Sequence, residues 1–409
     1  MSRYRSLDLL RGMSVMLMVF LHGALYHYGG LMDLDLLHPP LIVTLVGFLL
    51  MWGGLFAVLS GATHVVRAAE RLAQGQTASM LLIREWLGSA GLIVLGFAYF
   101  ALVGPAVIDV QSGTRETSLV ETLIQGGPLR SPSLDRWLYM NTLFMIGFST
   151  LLVAPLIAWM AQRADMRSPS LRWVVAALAF LALSSSWLRI PVYELYEQAA
   201  AEGRIGFLLA TFWLVNKHDP VWPALGFMLC GTLLGLSVIA RDQAGRMRQV
   251  IVLGLVLLVA GVGGWLFSPP SMLRRSVDMT WLSITLLQGG VILLGIAALH
   301  LRLDATPWLE VRDGPLARVL RRFSRVSLSV LFGETVLAAL AARAMDAVVP
   351  GWNLTLTAAV LFGIGSAVIW TLLLARWERV DYRGSVEAVW VRVMASLGRP
   401  STRLDPAAA

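Results

Sequence analysis

The 409 residues are 57% hydrophobic and only 14% charged, and the mean hydropathy is +0.70, which is the composition of an integral membrane protein rather than a soluble one. The formal net charge of +8 comes from short basic clusters between apolar runs, a pattern of arginine retained on the cytoplasmic side of a membrane, and it excludes a nucleic-acid partner. One cysteine, Cys230, sits inside an apolar run, so an intrachain disulfide and a thiolate metal site are excluded too.

The first apolar run, RSLDLLRGMSVMLMVFLH from Arg5 to His22, places an acid, a base and an imidazole inside a segment built to enter a bilayer. The stretch after it, YHYGGLMDLDLLHPP, offers no small-residue cleavage site, so the run reads as a retained span and not a signal peptide. At about 100° per residue Arg11 and His22 end up about 20° apart on the helix and about 16 Å apart along its axis. Asp8 falls about 60° from Arg11 and about 40° from His22, so the three form one stripe, and Tyr26 continues it one turn beyond His22. Charges inside a membrane cost about 2.5–3.5 kcal/mol on insertion scales and face a bundle interior or a wet cavity. With the N-terminus inside, Arg11 is placed to hold an anion from the cytoplasm, and His22 to work where that ligand's far end meets a substrate from outside. The simpler alternative is a structural Asp8–Arg11 pair with a packing histidine. His27, rotated about 140° from His22, reads as interfacial.

Nine further apolar runs follow, centred near Leu50, Leu92, Ser149, Ala179, Leu229, Leu257, Leu287, Leu337 and Gly363, which predicts an all-α integral membrane bundle of about ten transmembrane helices. Arg3 and Arg5, Arg67 with Arg71, Arg163 with Arg167 and Arg172, Arg241 with Arg246 and Arg248, and the clusters from Arg318 to Arg325 and from Arg379 to Arg403 all fall on one side, so both termini are predicted to be cytoplasmic. Of the two long outer segments, the one near Ala106 to Asp135 is polar enough for a small lid or substrate collar. The other, near Arg189 to Asp219, contains RIGFLLATFWLVN, too short for an eleventh span and suited to a re-entrant or interfacial piece. It ends in NKHDP, with the single lysine Lys217 beside His218 and Asp219; these either bind an acceptor or are solvated loop residues. Fifteen tryptophans include Trp213 and Trp222 around this cluster, and most suit the interfacial aromatic belt.

The small-residue runs SGA, CGTLLG and GIGSA read as close helix packing. Glu334, in SLSVLFGETVLAAL, is an acid inside the ninth span that orients or tunes His22 or pairs with Arg11. His38 and His300 sit at interfaces. No histidine has the acidic neighbours of a metal site. Residues 1–378 form the polytopic membrane domain, and 379–409 a cytoplasmic tail whose stretch VEAVWVRVMASL reads as an amphipathic helix lying on the inner leaflet.

An Arg, ten residues and a His, preceded by an Asp three residues before the Arg, resembles the first-helix signature of the acyltransferase family 3 membrane enzymes. SLDLLRG also resembles the start of heparan-α-glucosaminide N-acetyltransferase-like and periplasmic glucan succinyltransferase-like proteins. FAVLSGATHVVR is similar to their second-helix F-x-x-LSG, WPALGFMLCGTLLG to a mid-chain glycine stretch, and DYRGSVEAVWVRVMASLGRP to the C-terminal segment of YeiB-like proteins. The resemblance implies an enzyme of the inner (cytoplasmic) membrane that uses acetyl-CoA or another acyl-CoA, with no metal, to acylate an extracytoplasmic sugar or glycan. It makes His22 the catalytic base or transient acyl carrier, oriented by Glu334 or Asp8, and places Arg11 by the CoA. Ser60 and His64, in and after the LSG stretch, would border the donor, as would Arg84 where it does not simply snorkel beside Glu85. Tyr26, Lys217 and His218 would face the acceptor. Partners are then acyl-CoA, a carbohydrate acceptor and the lipid bilayer, with a homo-oligomer left open. The rival reading is a proton-coupled transporter or flippase for a glycan or lipid-linked precursor, with Asp8, Arg11, His22 and Glu334 as its relay.

Overall fold

A computed structural model describes residues 4–33, 40–50, 53–109, 114–163, 166–216, 219–240, 245–267, 277–304 and 314–397. In chain order the helices are α1 (Arg5–Tyr26), α2 (Leu41–Leu50), α3 (Gly53–Ala73), α4 (Ala78–Leu102), α5 (Leu119–Gln125), α6 (Leu134–Trp137), α7 (Thr142–Arg163), α8 (Pro169–Ser184), α9 (Arg189–Ala201), α10 (Ile205–Val215), α11 (Val221–Val238), α12 (Arg248–Phe267), α13 (Met279–Leu303), α14 (Pro315–Arg325), α15 (Ser327–Val348), α16 (Leu356–Trp377) and α17 (Val386–Leu397). A two-stranded antiparallel hairpin, β1 (Val107–Asp109) with β2 (Thr114–Glu116), pairs Ile108 with Arg115. Among the described residues nine helical segments are long and apolar enough to cross a membrane, α8 and α9 counting as one. The protein is thus an all-α, multi-pass membrane protein. The run near Leu50 is divided between α2 and α3 and is not one of the nine.

The core gathers round α11, which is buried almost along its whole length. The small residues of SGA and CGTLLG do what their size suggests: a methyl group on Gly61 would sit 2.3 Å from the Met228 carbonyl oxygen, and one on Gly231 2.1 Å from that of Val58. Only glycine lets α3 and α11 approach this closely. Gly261 and Gly290 perform the same service between α12 and α13.

The described residues of both long segments form secondary structure. The first is a collar of β1, β2, α5 and α6. Its anchor is Arg136, fully buried, which donates to the carbonyls of Phe100 (2.7 Å), Glu116 (3.0 Å), Gly104 (3.2 Å) and Pro105 (3.3 Å) and lies over the Phe100 ring. Burial pulls its pKa down, against the pull of Glu116 and Glu121. The second segment is a helical hairpin of α9 and α10, closed by buried Arg189, which donates to the carbonyls of Val215 (3.1 Å) and Asn216 (2.5 Å). RIGFLLATFWLVN contains the whole of α10, whose 11 residues are too few to span a bilayer.

At the arginine-rich, inner end the structure corrects two expectations. The tail helix α17 does not merely lie on a leaflet. Glu387 accepts hydrogen bonds from the backbone of Leu328 (2.6 Å) and Ser329 (3.2 Å) and from Ser329 Oγ (2.6 Å), capping the first turn of α15, while Trp390 packs on Gly91 of α4. Val389 and Val393, one turn apart, stay exposed on one side of it and Val391 on the other.

His300 is also not an interfacial bystander. It is buried and bonds Asp304 at 3.1 Å, and Asp304 in turn accepts from the backbone amides of Arg5 (2.9 Å) and Ser6 (3.1 Å) and from the Ser6 hydroxyl. The end of α13 thereby caps the start of α1, with the anion at the favourable end of the helix dipole. Burial works against the Asp304 carboxylate, but the hydrogen bonds from His300 and Ser6 outweigh it and hold its pKa below the usual value. A depressed carboxyl pKa gives stability that is present above the ordinary range and lost as pH falls through the folded value. Asp304→Ala should therefore lower stability by about 1–2 kcal/mol near neutrality. In thermal unfolding of detergent-solubilised protein, the gap from wild type should narrow as pH falls below about 4.

Candidate functional site

The polar stripe of α1 survives folding and is divided between two cavities. α1 is packed among α3, α13, α14, α15 and α16, so its costly side chains face protein rather than lipid, as intramembrane ionisable groups do.

The outer cavity holds the pair that the stripe alone could not supply. Glu334 on α15 places Oε1 2.6 Å from His22 Nδ1, and Thr335 Oγ1 donates to the same oxygen at 3.2 Å. Glu334 is 1% exposed while His22 is 20% exposed, so the acid is sealed behind the imidazole. A carboxylate on Nδ1 favours the tautomer in which Nδ1 carries the proton and Nε2 offers its lone pair. Tyr26 packs edge-on to the ring, with centroids 5.2 Å apart. The cavity, ≈ 150 Å³, is bordered by His22, Tyr26, Tyr99 of α4, Asn141, Asp219 and Gln288 of α13, among others. Pro105 and Tyr139, which flank the collar, also line it.

The inner cavity, ≈ 170 Å³, is lined by Asp8, Arg11, Arg321, Ser324 and Arg325. Arg11 donates to Thr63 Oγ1 of α3 at 3.1 Å, and the three arginines against one aspartate leave the wall cationic. Arg321 and Arg325 arrive on the amphipathic α14, one turn apart, and α14 can lie there only because position 12 is glycine: a methyl group on Gly12 would sit 1.8 Å from the Leu320 carbonyl oxygen. Arg322 reaches Glu378 at 2.8 Å, and Arg325 also lies 3.8 Å from that carboxylate.

The remaining predicted residues separate. Asp8 belongs to the inner cavity, about 21 Å along the axis from His22, and Glu334 alone takes the orienting position. Glu334 bonds His22 and not Arg11. Ser60 is half-buried on α3 and borders neither cavity. His64 packs against Glu85, Nδ1 to Oε2 2.5 Å, and bonds Thr150 at 3.3 Å. Glu85 is completed by Arg71 at 3.2 Å rather than by Arg84, which is exposed and donates to Gln76 at 3.2 Å. The Arg84–Glu85 surface pair is therefore replaced by a His64–Glu85–Arg71 cluster away from both cavities. Lys217 and His218 lie outside the described residues. His27 is buried against Phe362, and that burial, with Arg115 nearby, lowers its pKa to about 4. Among the described residues no group of three or more His, Cys, Asp or Glu side chains could hold a metal ion.

Sequence reasoning missed Thr63, Arg321, Ser324, Arg325, Tyr99 and Gln288. Arg321 and Arg325 were visible as an i, i+4 pair, but nothing local tells that their helix lies against α1. No protein-family model matches the chain, and neither does any curated protein.

Gly12→Ala tests how the inner cavity is built. It should cost at least about 1–3 kcal/mol through overpacking against backbone, read as a lower thermal midpoint in detergent, whereas Gly88→Ala, where the added methyl meets nothing within 4 Å, should leave the midpoint unchanged.

Proposed function

We propose that this protein is a membrane acyltransferase, moving an acyl group, acetyl in the simplest case, from cytosolic acyl-CoA to a hydroxyl or amine of an extracytoplasmic sugar or glycan. The observation that carries this is the division of one helix face between a cationic inner cavity and a His–carboxylate outer cavity. An acyl-CoA is matched to that order, since it bears phosphates at one end and a thioester at the other end of a flexible arm. The resemblance of the first helix to acyltransferase family 3 points the same way, and the membrane would be the cytoplasmic one, with the inner end in the cytosol.

The residues take simple roles in this reading. Arg11, Arg321 and Arg325 hold phosphate oxygens by charge-assisted hydrogen bonds, with the Ser324 hydroxyl beside them. Glu334 fixes the His22 ring and stabilises the imidazolium that forms when Nε2 takes a proton from the acceptor. Thr335 holds Glu334 in place, and Tyr26 packs the far side of the ring. The outer collar keeps the transfer point behind protein while the acceptor enters from the opposite side to the donor. The acyl-CoA supplies an activated carbonyl carbon and a thiolate leaving group, so no metal or redox group is called for.

The test uses the full-length protein in proteoliposomes with radiolabelled acetyl-CoA and a glycan fraction as acceptor. His22→Ala should reduce acetyl transfer by about 10²–10⁴, and Glu334→Gln should reduce it less while leaving the KM for acetyl-CoA near that of wild type. Arg11→Ala should raise that KM by about tenfold, the effect of losing roughly one charge-assisted contact. Full transfer by a folded His22→Ala protein would overturn the mechanism. A wild-type protein whose thermal midpoint ignores acetyl-CoA would return the site to a proton-coupled transporter.

A further inference from the structure

Two side chains of α13 that line the outer cavity carry buried nitrogens with no hydrogen-bond partner, Gln288 Nε2 and Trp281 Nε1. Buried N–H groups left unmet are rare and call for an explanation. Gln288 is the more telling of the two, because it is 4% exposed and stands deep in the bundle. Three other polar side chains on the same cavity wall are spent on the protein itself, while the buried Tyr99 hydroxyl, on α4, is unmet as the Gln288 amide is. Ser14 donates to the Leu10 carbonyl at 2.7 Å and Thr285 to that of Trp281 at 2.9 Å. Asn141 donates to the Gly96 carbonyl at 3.2 Å and accepts from the amides of Leu143 and Phe144.

The depth of Gln288 follows from the Asp304 cap, which sets the end of α13 level with the start of α1. Counted from that level, His22 stands about 25 Å up α1 and Gln288 about 24 Å up α13. The two helices pack on one another, so Gln288 and His22 reach one cavity at one depth. Trp281 lies about 10 Å farther out, too far to serve the same atom.

We infer that Gln288 is a catalytic residue, its side-chain amide donating a hydrogen bond to the carbonyl oxygen of the acyl group at the moment of transfer. This rests on the acyl-CoA reading above. His22 Nε2 takes the proton of the acceptor hydroxyl or amine as that atom bonds to the carbonyl carbon. The π pair of the C=O bond moves onto oxygen, where the Gln288 N–H meets the growing charge. The pair then returns, the C–S bond breaks with its electrons on sulfur, and His22 passes the proton to that sulfur, so charge and protons balance without a further reactant. Because the Gln288 amide has no bond to the protein to break, turning toward the oxygen loses nothing. In a low-dielectric, water-poor cavity such a donor is worth more than in water.

The experiment compares acetyl-CoA with S-ethyl-CoA, which replaces the carbonyl by a methylene, as ligands of the full chain in lipid nanodiscs. Wild type should bind acetyl-CoA about 3–10 times more tightly, the worth of one hydrogen bond. Gln288→Met, which removes the donor, and Gln288→Asn, which withdraws it by one methylene, should each abolish the preference while His22→Ala keeps it. Both Gln288 variants should also lower kcat for acetyl transfer by about 10²–10³, the usual effect of losing an oxyanion donor, with KM within about threefold of wild type. A preference that persists in both variants, or a kcat unchanged in both, overturns the role of Gln288 while the acyl-CoA reading stands. A wild type that binds neither thioester nor thioether overturns that reading and this inference together.

Discussion

A carboxylate held inside a membrane bundle is the constraint around which this molecule is arranged. Glu334 is almost wholly buried, and an acid there must be met by a partner or lose its charge. The partner is His22, 312 residues earlier, so the first and ninth apolar runs are obliged to lie side by side. Much of the packing serves that contact. The glycine at position 12 lets α14 lie against α1, the Asp304 cap fixes how far α1 extends along α13, and Glu387 fixes where α15 begins. The first is a close approach of two backbones, and the other two are carboxylates that hold the opening amides of the helices bearing His22 and Glu334.

The two cavities differ in chemistry for reasons visible in the elements that border them. The inner one is bordered by the arginines of α14, whose other face packs into the core through Leu320 and Phe323. The outer one is walled by aromatic and amide side chains from α4, α7 and α13. The inner cavity is thus the more charged of the two, and the outer one carries mainly neutral side chains around the His22–Glu334 hydrogen bond, with Asp219 on its wall.

Much of this was readable before folding, and the rest had physical reasons to be hidden. Helix count, the coherence of Asp8, Arg11 and His22 on one face, and the close packing at SGA and CGTLLG all derive from periodicity and residue size, which are local properties. Glu334 could be suspected, because an acid in an apolar run is costly wherever it points. Its partner could not be chosen between His22 and Arg11, since that depends on the height at which α15 starts. Gln288 gave no signal: a neutral amide in a run of leucines is cheap enough to pass as packing. His64 misled because its neighbours in the chain are apolar, whereas its partners Glu85 and Thr150 come from other helices. The second long segment was legible only as a piece too short to span, because the contacts that fold it, from Arg189 to the carbonyls of Val215 and Asn216, close over 26 and 27 residues.

The cap that Glu387 places on α15 bridges 58 and 59 residues, and it comes from a helix made after the one it caps. Until then the first turn of the helix bearing Glu334 has open amides and no fixed height. The order of synthesis therefore brings this cap after the helix it closes, so that the His22–Glu334 contact between the first and ninth runs is held in register only once residue 387 has been made. A chain stopped short of residue 387 would insert every one of its apolar runs and still lack the piece that holds its buried acid in place.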